Sequence, residues 1–344
     1  MPASPASVSN EQDAAVLVVS PGWLGDSLMA MPAVQAFRRR RPGARILLLA
    51  KDRVLELWRM NKAVDECLAY PRPLGILRCE IRARGCREAY MLPNSFRSAL
   101  PAFVAGVPRR RGAAGHFRRA LLTEVVTFDP RPGRMHQACE YLDILMPEAA
   151  GDPIERPRLE VPAAAAEAVD RRLKDAAAPR VAFFPGAARG PSKQWPADFF
   201  AELGRRLAAD PGVQLLLLGT RAERPLCDEM ARAVGARTLV LAGELDLPEL
   251  AAVLVRCQLV VANDSGGMHL ASALGAPVLA LYGATDPERT GPLGSRGRII
   301  QAEGSCSRAI ARNDSAAINR LASIKPERVY QAARECLAAG SAAG

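Results

Sequence analysis

Two runs of short apolar segments, each alternating with helical patterns, constrain the fold of this chain more than any other feature. The strand-like segments of the first run are 16–20, 45–50, 64–70 and 88–92, and those of the second are 181–186, 213–219, 238–243, 258–264 and 277–283. Alternation of this kind forms βαβ units on a parallel sheet, and strands that are apolar on both faces lie between two helical layers. The sequence therefore predicts an α/β fold with two parallel sheets.

The length of the chain favours two domains. Its 344 residues are too many for one ordinary core and suit two domains of roughly 150 residues each. We predict a disordered tail at 1–14, Rossmann-like domains at 15–165 and 166–325, and a C-terminal helix at 326–344 that returns towards the first domain. Two domains imply a cleft, and open α/β sheets bind ligands beyond the carboxyl ends of their strands, so we expect the informative residues at those ends.

The charge balance narrows the class of partner. The chain has 46 basic and 36 acidic residues, a formal net charge of +10, which attracts acidic partners such as nucleic acid, anionic lipid headgroups or phosphorylated sugars. A nucleic-acid-binding protein is not expected, because only 5% of the residues are aromatic and no nucleic-acid module is recognised. No apolar run approaches the ~18 residues of a membrane span and the start lacks a signal-peptide pattern, so we expect a cytoplasmic protein.

Cysteine and histidine spacing gives no sign of a metal site. The eight cysteines contain no C-x-x-C pair, and three histidines add no ligand cluster to them. We therefore expect reduced thiols, no bound metal and no cofactor.

Gly22, Gly25 and Asp26 form a turn between the first predicted strand and a helix predicted from Ser27. Asp26 stands where a helix N-cap belongs, which is sufficient reason for an aspartate. Two glycines also open the turn, so that a carboxylate oxygen of Asp26 can accept a proton from a hydroxyl. The sequence leaves both roles open.

A second glycine turn, FFPGAARGPSKQWP (183–196), follows the strand that begins the second run. Gly186 lets the backbone approach a ligand closely, and Lys193 supplies a point charge suited to a phosphate. A proline-rich connection with a solvated lysine explains the same residues.

A third constellation, VVANDSGGMHLASALG (260–275), places Asp264 at a strand end before a helix predicted from Ser265 or Gly266. The free amides of Ser265, Gly266 and Gly267 would form an anion-binding helix N-terminus. We expect Asp264 to accept hydrogen bonds from sugar hydroxyls while these amides and His269 meet phosphates. An ordinary N-cap and a core histidine remain the alternative.

Arginines cluster in two parts of the first half. Arg38–Arg41 end a predicted helix, where cations complement the helix dipole. VPRRRGAAGHFRRALL (107–122) is predicted to be a glycine-interrupted loop and therefore a candidate anion site.

Five of these stretches together resemble one known family. SPGWLGDSLMAMPAVQAF, LPNSFRSALPAFVAGVPRRRG, PGAARGPSKQWP, LAGELDLPELAAVL and NDSGGMHLASALGAPVLALYGATDP are similar, in sequence and in order over about residues 15 to 335, to the bacterial ADP-heptose:lipopolysaccharide heptosyltransferases of glycosyltransferase family 9. The segment LPNSFRSAL points to the type II members. The resemblance implies the GT-B fold, in which two Rossmann-like domains face each other across a cleft. It also implies an inverting, metal-independent transfer of heptose from ADP-heptose to the inner-core heptose of lipopolysaccharide. Peripheral contact with the cytoplasmic face of the inner membrane is compatible with this activity.

The resemblance also assigns site residues. Asp26 falls on the family's general base. The donor-binding positions implied are Lys193, Glu223, Asp264, Ser265, Gly266, Gly267 and His269, with Glu223 on the ribose hydroxyls. The acceptor-binding positions expected are Asn94, Ser95, Arg97, Arg111 and Arg118.

Some positions depart from the family pattern. Ala113 and His116 stand where an aromatic and an acidic residue are usual, and Ile318 stands near the place of a histidine. A same-family glycosyltransferase with another sugar acceptor therefore stays open. A nucleotide-sugar epimerase of the same architecture is a second alternative, although the arginine-rich stretch speaks for an acceptor.

Overall fold

The computed structural model describes residues 15–115, 117–128, 133–149, 151–173, 179–209, 213–235, 237–294, 296–307 and 310–341. The chain divides into two compact units, unit 1 (Met1–Pro157) and unit 2 (Arg158–Gly344). The boundary predicted between 165 and 166 falls inside a helix, Ala163–Arg172, that belongs to unit 2. The predicted tail at 1–14 and His116 lie outside the described residues.

Unit 1 is built on a parallel sheet. As far as it is described, its strands are β1 (Val16–Val19), β2 (Ile46–Lys51), β3 (Glu66–Tyr70), β4 (Glu88–Met91), β5 (Arg109–Ala113) and β6 (Glu124–Val126). Its helices are α1 (Leu24–Arg40), α2 (Asp52–Arg59), α3 (Leu74–Ala83), α4 (Phe96–Val104) and α5 (Gln137–Leu145). The strand order is β3-β2-β1-β4-β5-β6. The wholly apolar β1 is buried along its length near the centre of the sheet, as a strand covered by helices on both faces must be.

The arginine-rich stretch 109–113 is strand β5, so the prediction of a loop there was wrong. Arg111 lies opposite Glu124 in the register of β5 with β6. The Glu124 carboxylate accepts hydrogen bonds from Arg109 Nε at 2.6 Å and from Arg111 Nη1 at 3.0 Å. Such cross-strand pairs of opposite charge stabilise strand pairing, so they favour a strand here although the local sequence predicts a loop.

Helix α1 begins at Leu24, earlier than predicted, and Trp23 occupies the N-cap position without a side-chain cap. Asp26 is therefore the third residue of the helix, and its prediction as an N-cap was wrong. The first turn closes with Ser27 N–H donating to the Trp23 carbonyl at 2.9 Å. The Ser27 hydroxyl donates to the Pro21 carbonyl at 3.0 Å, which fixes the turn to the helix. A carboxylate in the first turn still interacts favourably with the helix dipole.

Unit 2 repeats the parallel architecture. Its described strands are β7 (Arg180–Phe184), β8 (Gln214–Leu217), β9 (Thr238–Val240), β10 (Leu259–Asn263), β11 (Val278–Tyr282) and β12 (Gly297–Gln301), in the order β12-β11-β10-β7-β8-β9. Its helices are α6 (Ala163–Arg172), α7 (Ala197–Ala208), α8 (Arg224–Val234), α9 (Leu247–Leu254), α10 (Gly266–Ala273), α11 (Pro287–Thr290), α12 (Ser315–Ser323) and α13 (Pro326–Ser341). The start of α10 at Gly266 confirms the predicted helix boundary.

The C-terminal helix is part of unit 2. Helix α13 packs on α7, and its residues Val329, Ala332 and Ala333 are buried in the core that holds β7, β8 and β10. The edge strand β12 was not predicted, because its first three residues are exposed and its apolar run is short.

None of the helices in the described part of the chain combines the length and hydropathy that a bilayer crossing needs.

A buried serine connects the end of β1 to the helical layer. Trp58 Nε1 donates to Ser20 Oγ at 2.7 Å, and Ser20 Oγ donates to the Pro21 carbonyl at 2.8 Å. Because Trp58 is fully buried, Ser20→Ala leaves the indole N–H without a partner. We expect the free energy of unfolding to fall by about 1–3 kcal/mol in chemical denaturation. The exposed Ser323→Ala is the control and should change it by less than about 0.5 kcal/mol; equal values for both variants would contradict the prediction.

Candidate functional site

Unit 1 contains a cavity of about 300 Å³ where the carboxyl ends of its central strands meet. The turn after β1 contributes Gly22, Trp23 and Asp26 to its wall, and Asn94 follows β4. The remaining lining residues are Pro21, Lys51, Arg53, Leu92, Pro93, Ala113, Phe128, Gln137, Glu140, Tyr141 and Ile144. The cavity thus combines an aromatic ring, amide and hydroxyl groups and charges of both signs, which suits a polar and anionic molecule such as a charged sugar.

Asp26 is half-buried in this cavity, on the first turn of α1. Gln137 Nε2 lies 3.5 Å from Asp26 Oδ1 and donates to the Tyr141 hydroxyl at 2.7 Å. These contacts from α5 limit the orientations of the carboxylate. A second carboxylate, Glu140, also lines the cavity.

Two cations of the cavity wall, Lys51 and Arg53, were missed by the sequence analysis. The Arg53 guanidinium lies 4.0 Å from the centre of the Trp23 ring and donates to the Gly22 carbonyl. A Cβ on Gly22 would lie 2.8 Å from Lys51 Cδ, so the glycine lets the lysine stem pass along the turn. Lys51 Nζ makes no hydrogen bond or ion pair within the described residues. The sequence could have indicated Lys51, because it is the last residue of a buried strand and ligands of α/β sheets bind beyond the strand ends.

The predicted acceptor residues occupy different places. Asn94 lines the cavity. The hydroxyl of Ser95 caps α4 by accepting from the Ser98 N–H at 3.3 Å, and Arg97 is exposed. Arg111 donates to Glu124 Oε2 at 3.0 Å and to the carbonyls of Ile144 and Asp143 at 2.9 and 3.2 Å, so its guanidinium is already engaged within the unit.

Arg118 has no exposed surface and lies behind the cavity wall. It donates to the Ala113 carbonyl at 2.8 Å, to Ser98 Oγ at 3.0 Å and to the Pro93 carbonyl. Burial lowers the pKa of this guanidinium to about 10, so it stays protonated at neutral pH. Because Pro93 and Ala113 both line the cavity, Arg118 holds two segments of its wall together.

Unit 2 brings the predicted donor residues together at the carboxyl ends of β7 and β10. Lys193 Nζ forms an ion pair with Asp264 Oδ2, and both side chains are largely buried. Burial, together with the charge of Asp264, raises the pKa of Tyr282 well above its usual value. The phenol donates to the Thr290 carbonyl at 2.7 Å. The lysine and the aspartate, which the sequence analysis assigned separately to phosphate and to sugar hydroxyls, are thus paired in the structure.

Asn263, the last residue of β10, fixes the loop that carries Lys193. Its amide nitrogen donates to the Pro185 carbonyl at 2.8 Å, and its amide oxygen accepts from the Trp195 N–H at 3.0 Å. Arg312 packs against Gly190, whose φ of +94° and lack of a Cβ permit the contact. Both ends of the loop are thus held by buried or close contacts.

Glu223 lies beside Gly186, and this contact corrects the role predicted for the glycine. A Cβ on Gly186 would lie 1.8 Å from Glu223 Oε1. The carboxylate also accepts from Thr220 Oγ1 at 2.9 Å and from Thr220 N–H at 2.7 Å, and the latter bond is one half of a capping box between Thr220 and Glu223. Gly186 therefore makes room for a side chain of the protein.

The first turn of α10 contains the remaining predicted donor residues. Ser265 is its N-cap, and Ser265 Oγ is buried without a hydrogen-bond partner in the described part of the chain. A Cβ on Gly267 would lie 2.6 Å from the Phe184 ring, so this glycine is needed for packing. Gly266 begins the helix, and His269 is buried on its next turn.

Within the described ranges, no group of three or more histidine, cysteine, aspartate or glutamate side chains is arranged to hold a metal ion.

Comparison with known proteins identifies the class and then the family. The chain is similar to the structure of the Escherichia coli ADP-heptose lipopolysaccharide heptosyltransferase II, with a TM-score of 0.83 and 29% identity over 95% of this chain and 99% of that one. A glycosyltransferase family 9 structure from Veillonella parvula matches with a TM-score of 0.81 and 21% identity over 94% and 97% of the two chains. The two parallel-sheet units therefore have the GT-B fold, which confirms the predicted fold class.

The sequence matches are to heptosyltransferases. Lipopolysaccharide heptosyltransferase 2 of Escherichia coli K12 is 34% identical over 83% of this chain and 87% of its own length. Lipooligosaccharide heptosyltransferase 2 of Haemophilus influenzae is 31% identical over 83% and 88%. Residues 77–318 match glycosyltransferase family 9 (heptosyltransferase). The chain belongs to this family.

The contact between Gly186 and Glu223 gives a stability prediction. In Gly186→Ala the new methyl group displaces the Glu223 carboxylate and breaks the capping box, which should lower the free energy of unfolding by about 1 kcal/mol. The matched control is Gly75→Ala, because a Cβ there has no neighbour within 4 Å. Thermal unfolding should show a lower midpoint for the first variant and an unchanged or higher one for the second. An unchanged midpoint for Gly186→Ala would contradict the prediction, because Glu223 would then have moved without lowering the free energy of unfolding.

Proposed function

We propose that this protein is an inverting heptosyltransferase that moves heptose from ADP-heptose to the inner-core heptose of lipopolysaccharide, at the cytoplasmic face of the inner membrane. The names of the similar Escherichia coli proteins supply the donor and the class of acceptor. The observation that supports the proposal is the position of Asp26 in a cavity lined by amide and hydroxyl groups that can bind a sugar and by the cations Lys51 and Arg53.

Unit 2 is proposed to hold the donor. The amides at the start of α10 and Ser265 Oγ can donate to the diphosphate, and the helix dipole favours its negative charge. Lys193 neutralises Asp264 in the structure described. With the donor bound, we propose that Lys193 and His269 meet the diphosphate while Asp264 accepts from heptose hydroxyls and Glu223 from the ribose.

Unit 1 is proposed to hold the acceptor. Asn94, Gln137 and Tyr141 can hydrogen-bond sugar hydroxyls, and the Trp23 ring can pack on a sugar face. Lys51 Nζ is suited to a phosphate or carboxylate of the acceptor, because it has no partner within the described residues and lies on the same wall as Asp26. Ser95 and Arg97 extend this surface after Asn94, while Arg111 and Arg118 are proposed to act by holding the cavity wall.

The proposed reaction is a single displacement. The acceptor hydroxyl oxygen bonds to the anomeric carbon on the face opposite ADP, and Asp26 takes the hydroxyl proton. The bond from the anomeric carbon to the diphosphate oxygen breaks, and its electron pair leaves with ADP. Lys193 and the α10 amides stabilise the charge that develops on the leaving group, so the proposal needs no metal ion.

Asp26→Asn tests the base. Asparagine has the same shape and keeps the contact with Gln137 but cannot take a proton, so transfer should fall by about 100-fold or more. The control is Asp52→Asn, which removes an acidic residue from the first turn of α2 outside the cavity and should retain transfer. Rates are measured with ADP-heptose and a heptose-bearing lipopolysaccharide acceptor, alongside melting temperatures.

Other outcomes of that assay contradict parts of the proposal. Normal transfer by Asp26→Asn together with loss of transfer in Glu140→Gln would assign the base to the second carboxylate of the cavity. If the wild-type protein transfers no heptose to this acceptor, the acceptor assignment is wrong.

Lys193→Gln tests the donor site. Glutamine can still donate to Asp264 but lacks the charge, and a desolvated charged contact contributes roughly 1.5–3 kcal/mol, so ADP should bind about 10- to 100-fold more weakly. The exposed Lys325→Gln in unit 2 is the control for binding by calorimetry. Unchanged ADP affinity in Lys193→Gln would remove the lysine from the site.

Metal independence is tested by measuring wild-type transfer with excess chelator, which should leave the rate unchanged. A loss of transfer that magnesium restores would refute the metal-independent mechanism.

A further inference from the structure

Four exposed large apolar side chains of unit 1 lie on segments that follow strands β3, β4 and β5. Leu74 and Ile76 are in the first turn of α3, Phe96 begins α4, and Phe117 follows β5. Their exposed fractions are 39%, 49%, 42% and 100%. Single exposed apolar residues are ordinary on protein surfaces, but a group of them marks an interaction site. We call these four residues the apolar rim.

The fold brings the members of the rim to the same side. They follow β3, β4 and β5, and parallel strands direct their carboxyl ends to one edge of the sheet. Helices α3 and α4 pack together, with Arg82 Nε near the end of α3 donating to the Ala105 carbonyl at 2.9 Å just after α4. Since both helices follow strands of one parallel sheet and pack together, we infer that their first turns lie at the same edge of the sheet.

The segment of Phe117 is held against the start of α4. Arg118 donates to Ser98 Oγ at 3.0 Å and lies 3.4 Å from the carbonyl oxygen of Ser95, the residue before Phe96. The rim also borders the cavity of Asp26, because Asn94 lines that cavity and precedes Phe96 by two residues.

Arginines flank the rim. They lie in the segments 71–79, 94–97 and 113–119, and one of them, Arg72, is paired with Glu80 of α3 at 2.9 Å. Arg78, one turn after Leu74, and Arg119, two residues after Phe117, are exposed and form no ion pair within the described residues. An apolar group flanked by unpaired arginines is complementary to a lipid surface with anionic headgroups, where apolar side chains enter the interface and cations meet the headgroups.

We propose that the apolar rim, with Arg78 and Arg119, docks unit 1 on a membrane surface that contains anionic lipid. This inference rests on the proposed function in one respect, since a lipid-anchored acceptor explains why the rim borders the acceptor cavity. Docking would place that cavity within reach of a sugar that projects from the membrane.

Vesicle binding tests the rim without any assay of transfer. The full chain is sedimented with vesicles of phosphatidylethanolamine and phosphatidylglycerol, and with vesicles of phosphatidylcholine alone. We expect binding to the first that weakens with salt, and little binding to the second. Phe96→Ser/Phe117→Ser should reduce vesicle affinity about tenfold or more, since two phenyl groups lose their burial.

The chain offers a matched control on the same helix. Phe103 is 43% exposed on the last turns of α4, where its ring lies 5.4 Å from the Arg110 guanidinium. Phe103→Ser should bind vesicles as the wild type does. Arg78→Glu/Arg119→Glu is a second variant, which should lose binding to anionic vesicles and the salt dependence while keeping the wild-type melting temperature.

A transfer assay separates this inference from the proposed function. With the acceptor embedded in vesicles the rim variants should be slow, whereas with an acyl-free acceptor oligosaccharide they should match the wild type. If the wild type transfers heptose to neither acceptor, the proposed function is refuted, and the vesicle-binding experiment alone then tests the rim.

The rim inference is overturned if the wild type does not bind anionic vesicles, or if the rim variants bind as well as Phe103→Ser. Concentration-dependent dimers that the rim variants abolish, without vesicle binding, would assign the surface to a second copy of this chain.

Discussion

Parallel pairing of strands is the constraint on which the rest of this protein depends. In each unit the carboxyl ends of the parallel strands lie at one edge of the sheet. The loops that follow the strands therefore present, at this edge, backbone and side-chain groups that are not hydrogen-bonded within the sheet. Asp26 and Asn94 come together at this edge in unit 1, and Lys193 and Asp264 do so in unit 2. The sites are therefore a consequence of topology, and the two similar sheets differ in the side chains at their edges.

The arginines of unit 1 show how position decides the role of a charge. Arg109 and Arg111 share the carboxylate of Glu124 across a strand pair, and Arg118 donates to backbone carbonyls. Lys51, by contrast, lines the cavity and has no ion-pair partner in the part of the chain that the structure describes. The net positive charge of the chain alone therefore does not identify the residues available to an anionic partner.

The sequence predicts the fold well, because the fold depends on local patterns of apolar strands and the turns that follow them. The start of α10 follows from such a pattern, whereas the ion pair of Lys193 with Asp264 is seen only in the structure. Strand β5 could not be predicted, since its stability comes from Glu124 on a neighbouring strand, and the start of α1 at Leu24 depends on the buried contact of Ser27 with Pro21. Gly186 was linked to a ligand because nothing local reveals that Glu223 fills the space beside it.

Arg118 has a consequence for how this surface can change during evolution. Its guanidinium donates to three acceptors, the carbonyls of Pro93 and Ala113 and the hydroxyl of Ser98, and only a planar group with several fixed donors can serve them together. Lysine carries the same charge but a single nitrogen, so the exchange that is conservative on a protein surface is not conservative here. A position that looks like one more surface arginine in a basic run is thus constrained by shape, whereas the exposed Arg119 beside it contributes its charge alone.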